Sequence, residues 1–325
     1  MSNESIHQPD DKAYKDILSK RENFIDFLKG FIEEEWINQI DLAPDNLVLV
    51  NKSFILNDYK EKEADIIYRL KLGDKDIIFY VVLELQSTVD FTMAFRLLIY
   101  MTELWKQVFL NSDKNERERK GYKLPAIIPI VVYNGSAKWT AVRSFKEMQA
   151  GSEFLGEYLL DFKYKFVDVH ECPEKQLYDM KSLIGTVFSI EQCETSEELL
   201  NRLEKLIAIA KSFSDESWVE FKNWIIHILA LKFPDEVKNE IYESISKVKR
   251  EEANAMVSNV GLLIEKELNS SRIEGKIEGK MEGKMEGKEE VVRAAVLRGL
   301  SLEVVSEITG LDIEKVKEIA EKCRM

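Results

Sequence analysis

Two carboxylates, Asp65 and Glu84, lie on segments that the sequence predicts to be the two arms of one β-hairpin. The arms, ADIIYRLKL and IIFYVVLELQ, are rich in Ile, Val, Tyr and Phe, and the residues GDKD separate them. A turn centred between Asp74 and Lys75 places Asp65 directly opposite Glu84. Since side chains alternate along a strand, Gln86 then points to the same side as Glu84.

A divalent cation would resolve the repulsion between these two facing carboxylates. Glu84 ends the apolar run IIFYVVL, so we expect it to be partly buried, where an unpaired charge is costly. Mg²⁺ prefers one or two carboxylates together with water and phosphate oxygens, and the backbone carbonyl of Leu85 is a further candidate ligand. That is the ligand set of a phosphodiesterase site. Spacing alone leaves a second interpretation open, in which Asp65 forms ordinary surface ion pairs with Arg69 and Lys71.

The segments around the hairpin predict the elements that must position it. Apolar residues at a spacing of three to four predict a helix over residues 13–38, and a strongly apolar helix is predicted over residues 92–111. Residues 47–56 are predicted to form a strand or an irregular bridge. AIIPIVVYNG predicts a buried strand, and YKFVDV predicts another. The order α-β-β-α-β, with room for a further strand, indicates an α/β domain.

The helix after the hairpin carries four polar residues at spacings of four, three and four: Arg96, Tyr100, Glu103 and Gln107. They form one stripe on a helix that is otherwise rich in Phe, Leu, Ile and Trp. One interpretation is that Arg96 and Tyr100 face a cleft and contact phosphate. The other is that the stripe is the solvent face of an amphipathic helix.

Composition excludes several other classes of protein. The chain has 325 residues, 45% hydrophobic and 32% charged, which predicts a globular protein of about two domains. Its three cysteines and three histidines show no metal-binding spacing. A formal net charge of −13 argues against binding nucleic acid over the whole surface but is compatible with a local basic cleft.

No apolar run approaches the roughly 20 residues of a membrane span, and the N-terminus is polar and acidic, so we expect a cytoplasmic protein without a membrane partner.

The C-terminal part is predicted to be helical, with an internal repeat. The sequence IEGK, IEGK, MEGK, MEGK ends at Lys288 and predicts either an exposed, marginal helix or a flexible linker. The segment that follows predicts three short helices with a spacing that resembles a helix-turn-helix. Because residues 312–321 carry nearly balanced charge, a packing or oligomerisation module is favoured over a reader of DNA sequence. These helices make a homo-oligomer one of the expected states.

Taken together, Asp65 and the tripeptide Glu84-Leu85-Gln86 resemble the PD-(D/E)xK nuclease core in its E-x-Q form. The segments DKAYKDILSKRENFIDFLKGFI, ADIIYRLKL, LELQSTVDFTMAFRLLIYM and LPAIIPIVVYNGSAKW, in this order, resemble the Rpn family of recombination-promoting nucleases, also called YhgA-like transposases. The resemblance covers about residues 10 to 260. It implies a restriction-endonuclease-like core, in which helices flank a mixed sheet.

The resemblance also implies a reaction: Mg²⁺-dependent hydrolysis of DNA phosphodiester bonds, associated with recombination or mobile elements. Asp65, Glu84 and the Leu85 carbonyl would hold the metal, while Gln86 would orient water or phosphate where the superfamily more commonly has Lys. Arg96 and Tyr100 would contact the DNA phosphates. The alternative is a catalytically degenerate nuclease fold that acts as a DNA-binding or protein-binding module.

Four regions are predicted on this basis. Residues 10–175 form the nuclease domain and residues 176–270 a helical region. Residues 271–288 are the Glu-Gly-Lys repeat, as a linker or a helix, and residues 289–325 are the small helical module.

Overall fold

The structure of this chain, a computed structural model, describes residues 8–32, 34–35, 37, 43, 46–50, 66–72, 75–84, 89–234 and 237–322. The strands are β1 (Leu47–Leu49), β2 (Ile66–Leu72), β3 (Lys75–Glu84), β4 (Ala126–Tyr133) and β5 (Lys165–Asp168). The helices are α1 (Gln8–Leu18), α2 (Arg21–Phe31), α3 (Met93–Asn111), α4 (Lys114–Arg117), α5 (Glu174–Asp179), α6 (Leu183–Glu191), α7 (Ser196–Ala210), α8 (Asp215–Lys232), α9 (Lys238–Ser246), α10 (Ala253–Leu297), α11 (Leu302–Thr309) and α12 (Ile313–Lys322).

The five strands form one mixed sheet in the order β1-β2-β3-β4-β5. β2 is antiparallel to both of its neighbours, β1 and β3, whereas β3, β4 and β5 are parallel to one another. Pro129 is tolerated inside β4 because pairing with β5 begins only at Ile130, so the residue lacking an N–H has one neighbouring strand rather than two. The predicted α/β class with a mixed sheet is confirmed.

The hairpin is present, but its register differs from the predicted one by two residues. A turn centred between Asp74 and Lys75 would pair Leu72 with Ile77, whereas Leu72 pairs with Lys75 and Ile67 pairs with Tyr80. The predicted register was therefore wrong. Because a shift of two residues leaves every residue on its original side of the sheet, the alternation of the strands gives the same pattern for both registers.

One face of the sheet packs against α3. Ile67 from β2, Ile78 from β3 and Val131 from β4 form a buried cluster with Met93 and Leu97 of α3. Trp139, Phe145 and Tyr164, from the segment between β4 and β5, belong to the same cluster. The helix predicted over residues 92–111 is thus confirmed, and its apolar side forms one layer of the core.

The other face packs against α1 and α2, and α6 packs on α2. The Phe24 ring of α2 stacks on the Tyr68 ring of β2 with ring centres 4.1 Å apart, and the Tyr68 hydroxyl donates a hydrogen bond to the carbonyl oxygen of Leu18. Phe188 of α6 contacts the rings of Phe27 and Phe31. The sheet is therefore covered by helices on both faces.

The first predicted helix is two helices in the structure. The prediction of a single helix over residues 13–38 was wrong, because α1 ends at Leu18 and α2 begins at Arg21. The apolar spacing continues across this break, since Ile17, Leu18 and Phe24 are all buried in the same layer. A two-residue break of this kind leaves the 3–4 pattern almost unchanged.

The chain divides into two units, residues 1–259 and 260–325, with the boundary inside α10. In the first unit, α7 begins at a capping box in which Thr195 and Glu198 satisfy each other's backbone N–H groups. In the second unit, Val292, Val305 and Val316 pack with Ile319 into a small core, and Gly310 ends α11 in the left-handed conformation. α10 is one continuous helix through the four-residue repeat. None of the helices in the described part of the chain has the length and apolar character to cross a membrane.

Candidate active site

The carboxyl ends of the three parallel strands meet at one edge of the sheet. Glu84 is the last residue of β3 and pairs with Tyr133, the last residue of β4. Tyr133 pairs in turn with Asp168, the last residue of β5. β2 runs in the opposite direction, so it begins at the same edge with Ile66. Backbone register thus places two acidic residues in one row across the sheet, with a fully buried tyrosine between them.

The predicted metal ligands fall mostly outside the described residues. Asp65, Leu85 and Gln86 lie outside them, and Glu84 is described by its place at the end of β3. Asp65 directly precedes Ile66 in the chain, and Ile66 is the first residue of β2. The expected approach of Asp65 to Glu84 therefore stays a prediction.

Asp168 is an acidic residue at this edge that sequence reasoning did not single out. It is half-buried, and burial raises the pKa of its carboxyl, an effect that a hydrogen bond from the His170 backbone N–H, 3.0 Å from Oδ1, partly offsets. Burial and the nearby acidic charges of Asp168 and Glu171 raise the pKa of the Cys172 thiol to about 12. A lone Asp in a short strand carries no motif, and only the register of β5 with β4 reveals its position.

Asn134, directly after β4, extends the polar character of the edge. Its Nδ2 donates a hydrogen bond to Oε1 of Glu191, at the end of α6, over 2.8 Å. Its Oδ1 is buried and accepts no hydrogen bond from the described residues. The side chain links the end of β4 to a helix on the opposite side of the sheet from α3.

Arg96, predicted to contact phosphate, forms an ion pair with Asp90 at the start of α3. The two side chains are only 18% and 20% exposed. Asp90 also accepts hydrogen bonds from the backbone N–H and the hydroxyl of Thr92, at 2.8 and 2.6 Å. Burial alone would raise the pKa of the Asp90 carboxyl, but the hydrogen bonds from Thr92 and Arg96 outweigh it and hold that pKa below its usual value. The pair joins Asp90, which precedes α3, to the first turn of that helix.

The polar stripe of α3 is neither core nor solvent face. Arg96, Tyr100, Glu103 and Gln107 are all half-buried, and Tyr100 packs against the cluster between α3 and the sheet. The exposed positions of α3 lie elsewhere and include Phe95, Thr102, Lys106 and Phe109. The stripe therefore lies along the margin of the helix, where a side chain can touch both the core and a bound molecule.

Metal binding by described residues alone has no support. Among the parts of the chain that the structure describes, no three His, Cys, Asp or Glu side chains are grouped closely enough to hold an ion. The predicted ligand set of Asp65, Glu84 and the Leu85 carbonyl consists of oxygen atoms, and it depends on residues beyond those parts.

Comparison with known proteins gives a consistent set of matches. The family described as "Putative transposase, YhgA-like" matches residues 8–217. Recombination-promoting nuclease RpnD of Escherichia coli O157:H7 is 30% identical over 136 residues, which is 42% of this chain and 49% of that protein. Recombination-promoting nuclease RpnC of Escherichia coli (strain K12) is 25% identical over 202 residues, 62% of this chain and 63% of that protein.

A further match carries a different description. The inactive recombination-promoting nuclease-like protein RpnE of Escherichia coli (strain K12) is 22% identical over 229 residues, 68% of this chain and 70% of that protein. The chain therefore spans between about half and 70% of the length of these relatives. No solved structure matches the chain.

Proposed function

This chain belongs to the family described as "Putative transposase, YhgA-like", and from that membership we propose that it is a nuclease that acts on DNA in recombination. The matching region, residues 8–217, contains the whole five-stranded sheet and the helices on both of its faces. Two of its relatives are named recombination-promoting nucleases. The proposal extends that description from those proteins to this one.

The proposed fold family is that of the PD-(D/E)xK nucleases. Its support is the mixed sheet, in which an antiparallel hairpin leads through α3 into parallel strands, with helices on both faces. The observation that carries the chemistry is the position of Glu84, which ends β3 at the edge where the three parallel strands end. Active sites of open α/β sheets lie outside the carboxyl ends of their strands.

The proposed metal ligands are Asp65, Glu84 and the backbone carbonyl of Leu85. Two carboxylates and a carbonyl are hard oxygen donors, and such a set fits Mg²⁺. When bound there, the ion would lower the pKa of a water molecule and stabilise the negative charge that develops on the phosphate. Asp168, two strands from Glu84 in the same row, would add negative charge to this edge.

The remaining roles belong to side chains that bind and orient. Gln86 would donate a hydrogen bond through its amide N–H₂ and accept one through its carbonyl, so it could orient water or phosphate without carrying charge. Arg96, held by Asp90, would contact a DNA phosphate, since a guanidinium has five N–H donors and can serve more than one acceptor. Tyr100, one turn further along the margin of α3, would offer its hydroxyl to the same backbone.

A second candidate function is a nuclease fold that binds DNA or a protein without cleaving. Two observations favour it. Gln86 stands where the more common motif has a Lys, and one relative is named an inactive nuclease-like protein. In this case the polar margin of α3 would bind the DNA or the protein partner, and the carboxylates of Asp65 and Glu84 would hold no catalytic ion.

Plasmid cleavage separates the two functions. We expect the full chain to nick or linearise supercoiled plasmid with Mg²⁺ and to do neither with EDTA. Asp65→Ala and Glu84→Ala should each abolish cleavage while retaining DNA binding in a gel-shift assay. Glu153→Ala, which removes an exposed carboxylate in the segment between β4 and β5, is the matched control and should cleave like the unaltered protein.

Each outcome favours one interpretation. Cleavage that survives both Asp65→Ala and Glu84→Ala would refute the proposed site. DNA binding without cleavage, in Mg²⁺ and in Mn²⁺, would instead favour the second function.

A further inference from the structure

The four-residue repeat leaves an apolar stripe exposed on α10. Ile273, Ile277 and Met281 are 60%, 54% and 68% exposed, and Met285 is half-buried. Residues four apart lie on one side of a helix, so these side chains form a single row. Large apolar side chains repeated along one exposed row are typical of an interaction surface.

The charged residues of the repeat form two rows that flank this stripe. At about 100° per residue, the glutamates lie about 60–100° to one side of the apolar row and the lysines about 60–100° to the other. Glu278 and Lys280, for example, lie on opposite sides of Ile277, and both are exposed. The glycines, including Gly279, occupy the opposite side of the helix, where a Cβ would meet nothing within 4 Å.

The spacing of the repeat offers these charges no favourable partner of the kind that stabilises a single helix. Favourable pairs on a helix are three or four residues apart. Within the repeat, a Glu and a Lys are always two, six, ten or fourteen residues apart. The residues that do lie four apart have the same charge, as Glu278 and Glu282 or Lys280 and Lys284 do. Each row therefore repels itself, and the repulsion would be relieved by an opposite row from another helix.

We propose that the apolar stripe of α10 binds the same stripe of a second copy of this chain, with the two helices parallel. In a parallel pair related by a two-fold axis, the Glu row of one copy faces the Lys row of the other on both sides of the apolar contact. In an antiparallel pair, Glu would face Glu and Lys would face Lys. The charge pattern thus selects both the partner and its direction.

The spacing of the repeat also determines how the two helices cross. A repeat of four residues is longer than the 3.6 residues of one turn, so the stripe winds around α10 in a right-handed sense. Two copies that keep their stripes in contact therefore cross with right-handed geometry. This association is independent of the proposed nuclease activity, and its tests use molecular mass rather than cleavage.

Charge reversal tests the pairing of the rows. Sedimentation equilibrium of the full chain should show a dimer. A variant carrying Lys276→Glu, Lys280→Glu and Lys284→Glu should have a dimer Kd raised about tenfold or more, and so should a variant carrying the opposite changes at the exposed glutamates. The opposite changes are Glu278→Lys, Glu282→Lys and Glu286→Lys. An equimolar mixture of the two variants should regain the dimer, because unlike rows then face each other.

Cysteine cross-linking tests the direction. In a parallel dimer, chains carrying Ile273→Cys should cross-link to one another, with the unaltered chain as the control for the native cysteines. In an antiparallel dimer, position 273 would face position 285, and Ile273→Cys would cross-link only to a chain carrying Met285→Cys. Cross-linking of that mixed pair alone would overturn the parallel arrangement.

A matched pair of variants tests which side of α10 is used. Ile277→Ser with Met281→Ser should give monomers, whereas Gly279→Ala with Gly283→Ala, on the opposite side, should leave the dimer intact. The proposal is overturned if the unaltered chain is monomeric at about 100 μM, a concentration far above the Kd of a specific dimer. It is equally overturned if the glycine variant dissociates while the apolar variant does not.

Discussion

Removal of the Asp90–Arg96 ion pair should measurably destabilise the protein. Both side chains are about four-fifths buried, and Asp90 is also held by two hydrogen bonds from Thr92. A hydrogen bond to a charged group contributes about 1.5–3 kcal/mol to stability. Because a fifth of each side chain is still exposed and Thr92 would continue to satisfy Asp90, we expect a coupling energy between Asp90 and Arg96 of about 1–2 kcal/mol.

A double-mutant cycle measures this coupling. The free energy of unfolding in urea is compared at pH 7 for the unaltered chain, Asp90→Asn, Arg96→Met and the double variant. The control is a second cycle on the same helix, Glu103→Gln with Lys106→Met, whose charged atoms are 3.3 Å apart and whose lysine is 60% exposed. This pair, whose lysine is largely in solvent, should show a coupling of at most about 0.5 kcal/mol.

The pH dependence of the coupling has a definite sign. The pKa of Asp90 is lowered in the folded protein, so its stabilisation is complete above the unfolded-state pKa of about 3.9 and is lost as the pH falls through the lower folded-state pKa. The coupling should therefore be constant between pH 7 and pH 5 and decline in stronger acid. A coupling at pH 7 no larger than that of the control pair, or one that grows on acidification, would refute this reasoning.

Three further predictions concern other parts of the chain. Gly310→Ala should destabilise the C-terminal unit by about 1 kcal/mol, because Gly310 has a φ of +60°. Gly287→Ala should stabilise α10 by about 1 kcal/mol, because its added Cβ meets no atom within 4 Å. Thermal unfolding followed by circular dichroism should show midpoints shifted in opposite directions, and shifts in the same direction would contradict this prediction. Tyr68→Phe should cost about 1 kcal/mol in urea unfolding, since it removes only the 3.1 Å hydrogen bond to the Leu18 carbonyl, and an unchanged midpoint would count against that bond. With a pKa of about 12, the Cys172 thiol should resist iodoacetamide at pH 8 in the folded protein and react after unfolding, as peptide mass spectrometry would show; rapid alkylation of folded protein would contradict the burial.

Much of the fold could be predicted because many of its elements are determined by residues that are close together in the sequence. The alternation in the hairpin and the apolar side of α3 each depend on residues close together in the sequence, and both elements were predicted correctly. The register of the hairpin was not predicted correctly, because moving the turn by one residue shifts every cross-strand pair by two residues and leaves each side chain on the same face of the sheet. The break after Leu18 was missed for a similar reason, because both short helices contribute to the same buried layer.

The candidate site was predictable only in part. The sequence singled out the two carboxylates of the hairpin, but the register from which they were predicted to face each other was wrong, and their approach to each other stays a prediction. Asp168 reaches the edge of the sheet through the pairing of β5 with β4, and no local pattern contains that information. The contact between Asp90 and Arg96 was also not predicted, since it joins a residue before α3 to one inside the helix, at a separation of six residues that no helical pairing rule covers.

The order of the strands has a consequence for how the chain folds during its synthesis. Since neighbours in the sheet are also neighbours along the chain, each strand that leaves the ribosome can join one already in place, and the sheet can grow at a single edge. The apolar side chains of α2 that face away from the sheet remain uncovered until α6 brings Phe188 against Phe27 and Phe31. A nascent chain that stalls before residue 183 would therefore expose the aromatic rings of Phe27 and Phe31 on α2, and we expect it to aggregate more readily than a chain in which α6 has been made.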